Sequence, residues 1–182
     1  MLYYMTSNKR KVEVAQQYLA PLGVEVIGND IDLVEIQSEN IEEIAKLKAE
    51  QAFKLVKKPL FVNDAGWFIT ALNGFPGAYM KHINDWLTAD QILRMMEGQT
   101  DREVIFNEVI CYIDASRTKV FNREVRGVVL TKNTSDTAPP SAAIVSLSST
   151  GKSIAECWEA GIQSVDDVQI WHDFAEWYKS QL

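Results

Sequence analysis

The sequence is poor in the residues that cross-link a chain or bind transition metals. Among 182 residues it has only 2 cysteines and 2 histidines. Cys111 and Cys157 lack any metal-binding or redox spacing, so we interpret both as reduced thiols, and His82 and His172 are not spaced as metal ligands. These scarcities argue against a disulfide-bonded scaffold and against a metal site built from cysteine and histidine.

Long apolar runs and an excess of positive charge are also missing. No apolar stretch reaches the roughly 18 residues that a membrane span needs, and the first residues lack the pattern of a signal peptide. With 18 basic and 25 acidic residues the net charge is −7, which argues against a membrane surface or duplex nucleic acid as partner. We therefore expect a cytoplasmic protein, and 182 residues fit a single domain over residues 1–182.

Strand and helix patterns alternate along the first half of the chain. Alternating elements followed by a long hairpin predict an α/β fold, in which a mixed, twisted β-sheet is flanked by helices. The expected strands are 2–5, 24–27, 60–62, 104–113, 120–130 and 143–147, with an extended segment at 31–36, and the expected helices are 9–20, 40–56, 88–98 and a C-terminal helix that buries Trp171, Phe174 and Tyr178.

A polar turn followed by three consecutive cations opens the first predicted helix. Positive charge is unfavourable at a helix N-terminus, whereas the exposed N–H groups there attract phosphate. Two interpretations stay open, a solvated basic helix start and a site for a polyphosphate. The residues concerned are Thr6, Ser7, Asn8, Lys9, Arg10 and Lys11.

Three further charged residues are notable for their positions. Lys48 falls within the apolar stripe of the second predicted helix, where a lysine either extends to solvent or points at an anion in a cleft. Glu35 and Asp64 each end a predicted extended segment, and ligands of open α/β sheets bind outside the carboxyl ends of strands. Two carboxylates suit Mg²⁺ together with substrate phosphates, although each residue alone is more typical of a turn or a helix cap.

These motifs together resemble the inosine triphosphate pyrophosphatase family, enzymes that remove deaminated purine nucleotides. The segment 6–13 corresponds to the Thr-Gly-Asn-x-x-Lys turn of that family, with Ser7 in place of the glycine. The glycine-rich run Ala71–Lys81 is the closest match of all. The resemblance implies two lobes around a central cleft and a homodimer.

The resemblance also assigns roles to individual residues. Asp64 takes the catalytic role and shares a Mg²⁺ ion with Glu35. Lys48 and Lys81 contact the substrate, as does Ala65, which stands in the segment that holds the catalytic aspartate. The turn from Thr6 to Lys11 contributes the remaining phosphate contacts.

Several family features are absent from this chain. Asn63 replaces the acid that usually precedes the catalytic aspartate, and Ala65 replaces a hydroxyl residue. The aromatic segment that lies against the purine has no counterpart near 139–142. The Ser-His-Arg base clamp is replaced by 164–168, where aspartates cannot donate hydrogen bonds to a purine carbonyl.

The sequence therefore predicts a hydrolase, a Mg²⁺-dependent nucleoside triphosphate pyrophosphatase. It would convert a modified or deaminated nucleotide to the monophosphate and pyrophosphate. The alternative is a weakly active or inactive nucleotide-binding paralogue with a regulatory role. Asn63 and Ala65 favour that alternative, whereas Glu35, Lys48 and Asp64 oppose it.

Overall fold

The computed structural model describes residues 1–182, and strands alternate with helices along the first half of the chain as predicted. None of the helices has both the length and the apolar composition needed to cross a bilayer. The elements are β1 (Leu2–Met5), α1 (Lys9–Leu19), β2 (Val26–Asn29), α2 (Ile41–Val56), β3 (Leu60–Ile69), β4 (Pro76–Gly77), α3 (Met80–Trp86), α4 (Ala89–Met95), β5 (Glu103–Ile113), β6 (Thr118–Val129), α5 (Pro140–Ile144), β7 (Val145–Ser146), α6 (Ile154–Glu159) and α7 (Gln169–Lys179).

The strands form a mixed sheet in the order β2-β1-β3-β5-β6-β7, and β4 pairs with β3. β1 is parallel to both neighbours, with Tyr4 opposite Gly28 on one side and Phe61 on the other. The β3–β4 and β6–β7 pairs are antiparallel. The predicted α/β class with a mixed, helix-flanked sheet is confirmed.

The chain divides into two compact units, of which the first comprises residues 1–65, 108–123 and 168–182. Its core contains the start of the sheet together with α1 and α7. Phe61 lies at the centre, with the Tyr4 ring stacked at 4.3 Å and the Phe174 ring at 5.0 Å between centroids. Trp171, Phe174 and Tyr178 are all buried, so the apolar face predicted for the C-terminal helix is confirmed.

The second unit comprises residues 66–107 and 124–167. Its core is aliphatic, with Ile92, Met96, Val104 and Ile144 all buried. β6 passes so close to β7 that a Cβ at Gly127 would overlap the carbonyl oxygen of Ser146. The β6–β7 contact therefore depends on glycine at that position.

The segment 31–36, which was predicted to be extended, pairs with no strand, and the backbone of Val34 exchanges hydrogen bonds with the side chain of Gln51 instead. Two predictions of strands were wrong in their bounds. The strand predicted at 60–62 continues to Ile69, so Asp64 lies inside β3 and not at its end. Of the strand predicted at 143–147 only Val145 and Ser146 form one, β7, while the first two residues end α5, whose start is favoured by the proline pair Pro139–Pro140.

Candidate functional site

Lys48 links the two carboxylates that the sequence singled out. Its ammonium nitrogen lies 2.8 Å from Glu35 Oε1 and 2.7 Å from Asp64 Oδ1. The side chains of Lys48 and Asp64 are 15% and 16% exposed, and that of Glu35 is 44% exposed. One cation therefore bridges two acids at a partly buried position in the first unit.

Helix α2 carries Lys48 on a face otherwise occupied by buried alanines, among them Ala45 and Ala52. The helix begins at Asn40, whose Oδ1 accepts from the N–H groups of Glu42 and Glu43 at 2.9 and 3.3 Å. Small neighbours and a firm N-terminal cap fix the register of α2. The lysine stem consequently leaves the helix toward β3 and the irregular segment that carries Glu35.

The electrostatics of this cluster favour charged side chains. Burial lowers the pKa of the Lys48 ammonium, but Asp64 and Glu35 outweigh burial and hold that pKa above its ordinary value. The second carboxylate oxygen of Asp64, Oδ2, is buried and has no hydrogen-bond partner. A buried carboxylate oxygen without a donor is costly, so the site lacks a cationic or hydrogen-bonding group at that atom.

The Thr6–Lys11 turn forms the N-terminus of α1. Asn8 Oδ1 accepts from the N–H groups of Arg10 and Lys11 at 3.0 and 3.3 Å, and Asn8 N–H donates to Thr6 Oγ1 at 3.1 Å. The N–H groups of Ser7 and Lys9 have no hydrogen-bond acceptor within the chain. Some of the backbone N–H groups at this helix start are thus bound within the turn itself, and others are left for a ligand.

A groove of about 470 Å³ lies beside this turn. Gly28 forms part of its wall, where an added Cβ would approach Val12 Cγ2 to 2.9 Å. The absence of a side chain at this position of β2 keeps α1 close to the sheet. The groove is lined by Thr6, Ser7, Lys9, Val12, Glu13, Gly28 and Asp30.

Lys11 points into the protein toward β3. Its ammonium donates to the backbone carbonyl of Asn63 at 2.8 Å. Burial lowers the pKa of Lys11, and Lys48 acts in the same direction, against the opposing effect of Asp64, Glu108 and Glu35. Lys11 and Lys48 therefore belong to one electrostatic cluster.

The other predicted substrate residues are placed differently. Lys9 and Arg10 are exposed on α1, and Ala65 is half-buried in β3 directly after Asp64. Lys81 is exposed on α3, in the second unit. The structure thus brings Lys11, Lys48 and the two carboxylates together within the first unit, and it shows no contact of this kind for Lys9 or Lys81.

The sequence prediction missed two residues of this cluster, Glu108 and Tyr4. Glu108 Oε1 accepts from the Asn63 side-chain amide at 2.9 Å, and the buried hydroxyl of Tyr4 has no hydrogen-bond partner. A signal for Glu108 was available, because it is an acid in the middle of a strand whose following residues, Val109 to Ile113, are all buried. Tyr4 gave no signal, since a tyrosine is ordinary in a strand.

Asp64 and Glu35 are suitable ligands for a divalent cation that also binds phosphate. No group of three or more histidine, cysteine or acidic residues is arranged to hold a metal ion alone. Mg²⁺ requires less, since it usually keeps several waters and takes one or two carboxylates plus phosphate oxygens. Asp64, with its unpartnered Oδ2, and Glu35, which is bound to the same ammonium, fit that requirement.

Comparison with known proteins decides the family. The sequence model of the Ham1 family matches residues 2–138. The chain belongs to the Ham1 family. It is similar to the dITP/XTP pyrophosphatase of Thermococcus kodakarensis, with 37% identity over 131 residues, 72% of this chain and 71% of that protein. The corresponding Methanosarcina mazei protein is 35% identical over 129 residues, 70% of each chain.

Solved structures show that the fold extends beyond the matched sequence. The Ham1 protein of Staphylococcus aureus superposes with a TM-score of 0.80 at 23% identity, covering 100% of this chain and 99% of that one. A HAM1 protein from Coxiella burnetii gives 0.81 at 18% identity, with 98% of each chain covered. The family fold is therefore retained after residue 138, where the sequence match ends.

The C-terminal departures noted in the sequence also have structural uses. Asp166 lies in the segment 164–168, where the resemblance implied a base clamp, and its Oδ2 accepts from the backbone N–H of Ser149 at 2.6 Å. Pro140, near the missing aromatic segment, begins α5. In this Ham1 protein these residues stabilise the second unit.

Proposed function

We propose that this chain hydrolyses a nucleoside triphosphate to a nucleoside monophosphate and pyrophosphate at the Glu35–Lys48–Asp64 cluster, with Mg²⁺ as its metal. The observation that carries the proposal is the shared ammonium: Lys48 holds both carboxylates within 2.8 Å while Asp64 Oδ2 has no partner. Membership of the Ham1 family and the activity in the names of its relatives point to the same chemistry.

The phosphate chain would bind to cations and to the N-terminus of α1. Lys11 and Lys48 are positioned in the cluster, and the N–H groups of Ser7 and Lys9 lie at the positive end of the helix dipole. Arg10 and Lys9 add exposed positive charge on the same turn. Lys81 is proposed as a further phosphate contact on the basis of the family resemblance alone.

Glu35 and Asp64 are the residues that would hold the metal. A divalent cation bound by them supplies charge neutralisation to the phosphates and lowers the pKa of a coordinated water. Asp64 orients the attacking water and accepts its proton. Water is added across the anhydride between the α- and β-phosphates, so one P–O bond forms, another breaks, and pyrophosphate leaves without a covalent enzyme intermediate.

Lys48 has two roles in this scheme. In the free protein its ammonium balances the two carboxylates; with substrate bound it would donate to phosphate oxygens, and a divalent cation held by Glu35 and Asp64 would supply the positive charge that balances them. Charge stabilisation by groups already in place is the main source of catalysis in phosphoryl chemistry. Ala65 contributes only its backbone, because its side chain carries no donor.

The base that is recognised is proposed to be a deaminated or otherwise modified purine. The relatives from Thermococcus kodakarensis and Methanosarcina mazei are named dITP/XTP pyrophosphatases. This chain lacks the aromatic segment and the Ser-His-Arg clamp of the inosine triphosphate pyrophosphatase family, and the Asp166 carboxylate accepts a hydrogen bond from the backbone N–H of Ser149. We therefore expect a base preference that differs in degree from the preference of those relatives.

Pyrophosphate release from a panel of nucleotides tests the activity. ITP, dITP, XTP and the standard nucleotides are incubated with enzyme and Mg²⁺, with EDTA as the metal-free arm. Turnover of at least one triphosphate that stops in EDTA is expected. Metal-dependent binding without hydrolysis of any nucleotide would establish the inactive paralogue instead.

Asp64→Asn tests the catalytic assignment. The amide keeps the shape and the contact with Lys48 but cannot accept the water's proton, so kcat should fall by about 100-fold or more. Asp114→Asn is the matched control, since Asp114 is a half-buried carboxylate at the β5–β6 turn, where it accepts from Ser116, Arg117 and the Tyr112 hydroxyl. An Asp64→Asn enzyme as active as the control would remove Asp64 from the mechanism.

Location and assembly complete the proposal. A cytoplasmic location is supported by the two buried, free cysteines and by a nucleotide substrate. A homodimer is supported only by the family resemblance, because the aromatic residues of α7 pack inside the first unit and are not available as an interface. Light scattering after size exclusion distinguishes a monomer from a dimer.

A further inference from the structure

A partly buried acid on β5 has no place in the mechanism above. Glu108 accepts hydrogen bonds from the Asn63 side-chain amide, at 2.9 Å, and from the Trp171 indole. Burial raises the pKa of its carboxyl, while Asn63, Lys11 and Trp171 act in the opposite direction. The residue is thus well ordered and partly desolvated, and it lies next to the residue that precedes Asp64.

Asn63 connects this acid to the phosphate-binding lysine. The Asn63 amide reaches Glu108, whereas its backbone carbonyl accepts from Lys11 at 2.8 Å. Glu108 and Lys11 therefore hold Asn63 through its side chain and its backbone respectively. Fixing Asn63 also fixes Asp64, the next residue of the same strand.

The charge of Glu108 needs an explanation that its hydrogen bonds do not provide. Both donors are neutral, and the amide oxygen of a glutamine would satisfy them equally well. A buried carboxylate costs more than an amide unless a cation offsets it. The cation that acts on Glu108 is Lys11, whose ammonium donates to the backbone carbonyl of Asn63 and not to Glu108 itself.

We propose that Glu108 is a positioning residue for the pyrophosphatase reaction, which orients Lys11 toward the phosphate chain through Asn63 and balances the charge of Lys11. This inference rests on the proposed function. Glu108 touches neither the substrate nor the metal in this scheme. Its position on β5 gives the site a third acid, which complements the uncharged Asn63 on β3.

Glu108→Gln is the direct test. The substitution keeps the shape and both hydrogen bonds while it removes the charge, so kcat/KM for the preferred nucleotide should fall by about 10- to 100-fold. The thermal unfolding midpoint should stay the same or rise, because a buried charge is lost. A purely structural role predicts the opposite pattern, a lower midpoint with unchanged kinetics per folded molecule, and would overturn the proposal.

A double-mutant cycle with Lys11→Met shows whether Glu108 acts through Lys11. In the Lys11→Met background, Glu108→Gln should reduce kcat/KM by less than about threefold, because residues that act together are not additive. Equal effects of Glu108→Gln in both backgrounds would refute the coupling. Asp114→Asn serves as the control carboxylate and should leave the kinetics of either background unchanged.

The same double-mutant cycle, with ligand affinity measured in place of kcat/KM, tests this inference independently of the proposed function. Binding of inorganic tripolyphosphate with Mg²⁺, measured by calorimetry, should be weakened by Glu108→Gln only when Lys11 is present. If no nucleotide is hydrolysed by the wild type, the proposed function fails, and the tripolyphosphate cycle still decides on Glu108. If Glu108→Gln does not fold, Trp171→Phe is the second variant, because it removes one hydrogen bond to Glu108. It should weaken tripolyphosphate binding only when Lys11 is present. Unchanged tripolyphosphate binding by Trp171→Phe would refute the proposal.

Discussion

Replacing Lys48 by methionine removes the one ammonium that separates Glu35 from Asp64. The unbranched methionine stem still fills the space beside the α2 alanines, so packing is largely conserved. The change leaves Asp64 without a partner at Oδ1, in addition to the unpartnered Oδ2. Two neighbouring carboxylates then repel one another with no cation between them.

The cost follows from the exposure of the three side chains. Breaking a buried ion pair typically costs about 3–5 kcal/mol of unfolding free energy. The side chains of Lys48 and Asp64 are 15% and 16% exposed, so we expect a cost at the lower end of that range. Glu35 is 44% exposed, so its share is small. We expect a loss of about 3 kcal/mol in unfolding free energy without metal, or a midpoint lower by about 6–12 °C for a chain of this length.

Thermal unfolding followed by circular dichroism, in EDTA and in Mg²⁺, measures this effect. If the two carboxylates bind the metal, Mg²⁺ should stabilise Lys48→Met more than the wild type, because no ammonium competes with it. Saturation at 100 times the dissociation constant gives about 2.7 kcal/mol. Lys46→Met is the control, since Lys46 lies on the same helix and pairs only with Glu42 at an exposed position.

Two results would refute this reasoning. A Lys48→Met midpoint in EDTA equal to that of Lys46→Met would mean that the ammonium does not hold the carboxylates together. Equal stabilisation of wild type and Lys48→Met by Mg²⁺ would mean that the metal binds elsewhere. Either result would remove the cluster as the proposed metal site.

Three further predictions concern stability. Gly28→Ala should lower the unfolding free energy by about 1–3 kcal/mol in urea, because the new Cβ would lie 2.9 Å from Val12 Cγ2, and the second substitution Val12→Ala should recover part of that loss. Burial raises the pKa of Glu108, so the folded protein retains a proton that the unfolded chain releases. The unfolding free energy of the wild type, relative to that of Glu108→Gln, should therefore fall as pH rises above about 4.3. A difference that does not change with pH would contradict this. Ser153→Ala should cost about 1–2 kcal/mol in the same urea assay, because the buried Ser153 hydroxyl caps α6 at Glu156 N–H; a smaller loss than that caused by an exposed serine substitution such as Ser149→Ala would show that the cap is dispensable.

Much of the fold followed from periodicity and capping. The hairpin of β5 and β6 and the buried face of α7 were predicted from composition, because apolar alternation and helical spacing are local properties. The helix predicted at 40–56 is also present, and Asn40 caps it, but the Glu43 side chain does not return to the Asn40 backbone. Instead its carboxylate accepts from Ser38 Oγ, which in turn accepts from the Asn40 N–H.

The error in the length of β3 has a physical origin, because polar residues such as Asn63 and Asp64 are more typical of the end of a strand than of its interior. Asn63 and Asp64 remain in the strand because Glu108 and Lys48 satisfy their side chains. Glu108 and Lys48 are both distant in sequence from these residues, so no local sequence pattern predicts the contacts. The same reason explains why the sequence identified Lys48, Glu35 and Asp64 as candidates but did not reveal their common ammonium or the role of Glu108.

The composition of the first unit affects the order in which a new chain can fold. Its core needs α7, which follows every other element during synthesis, whereas all segments of the second unit lie between residues 66 and 167. Domains generally fold as units during translation. All residues of the second unit are therefore synthesised before α7, which completes the core around Phe61. The Trp171 indole can contact Glu108 only after α7 has been synthesised and has packed.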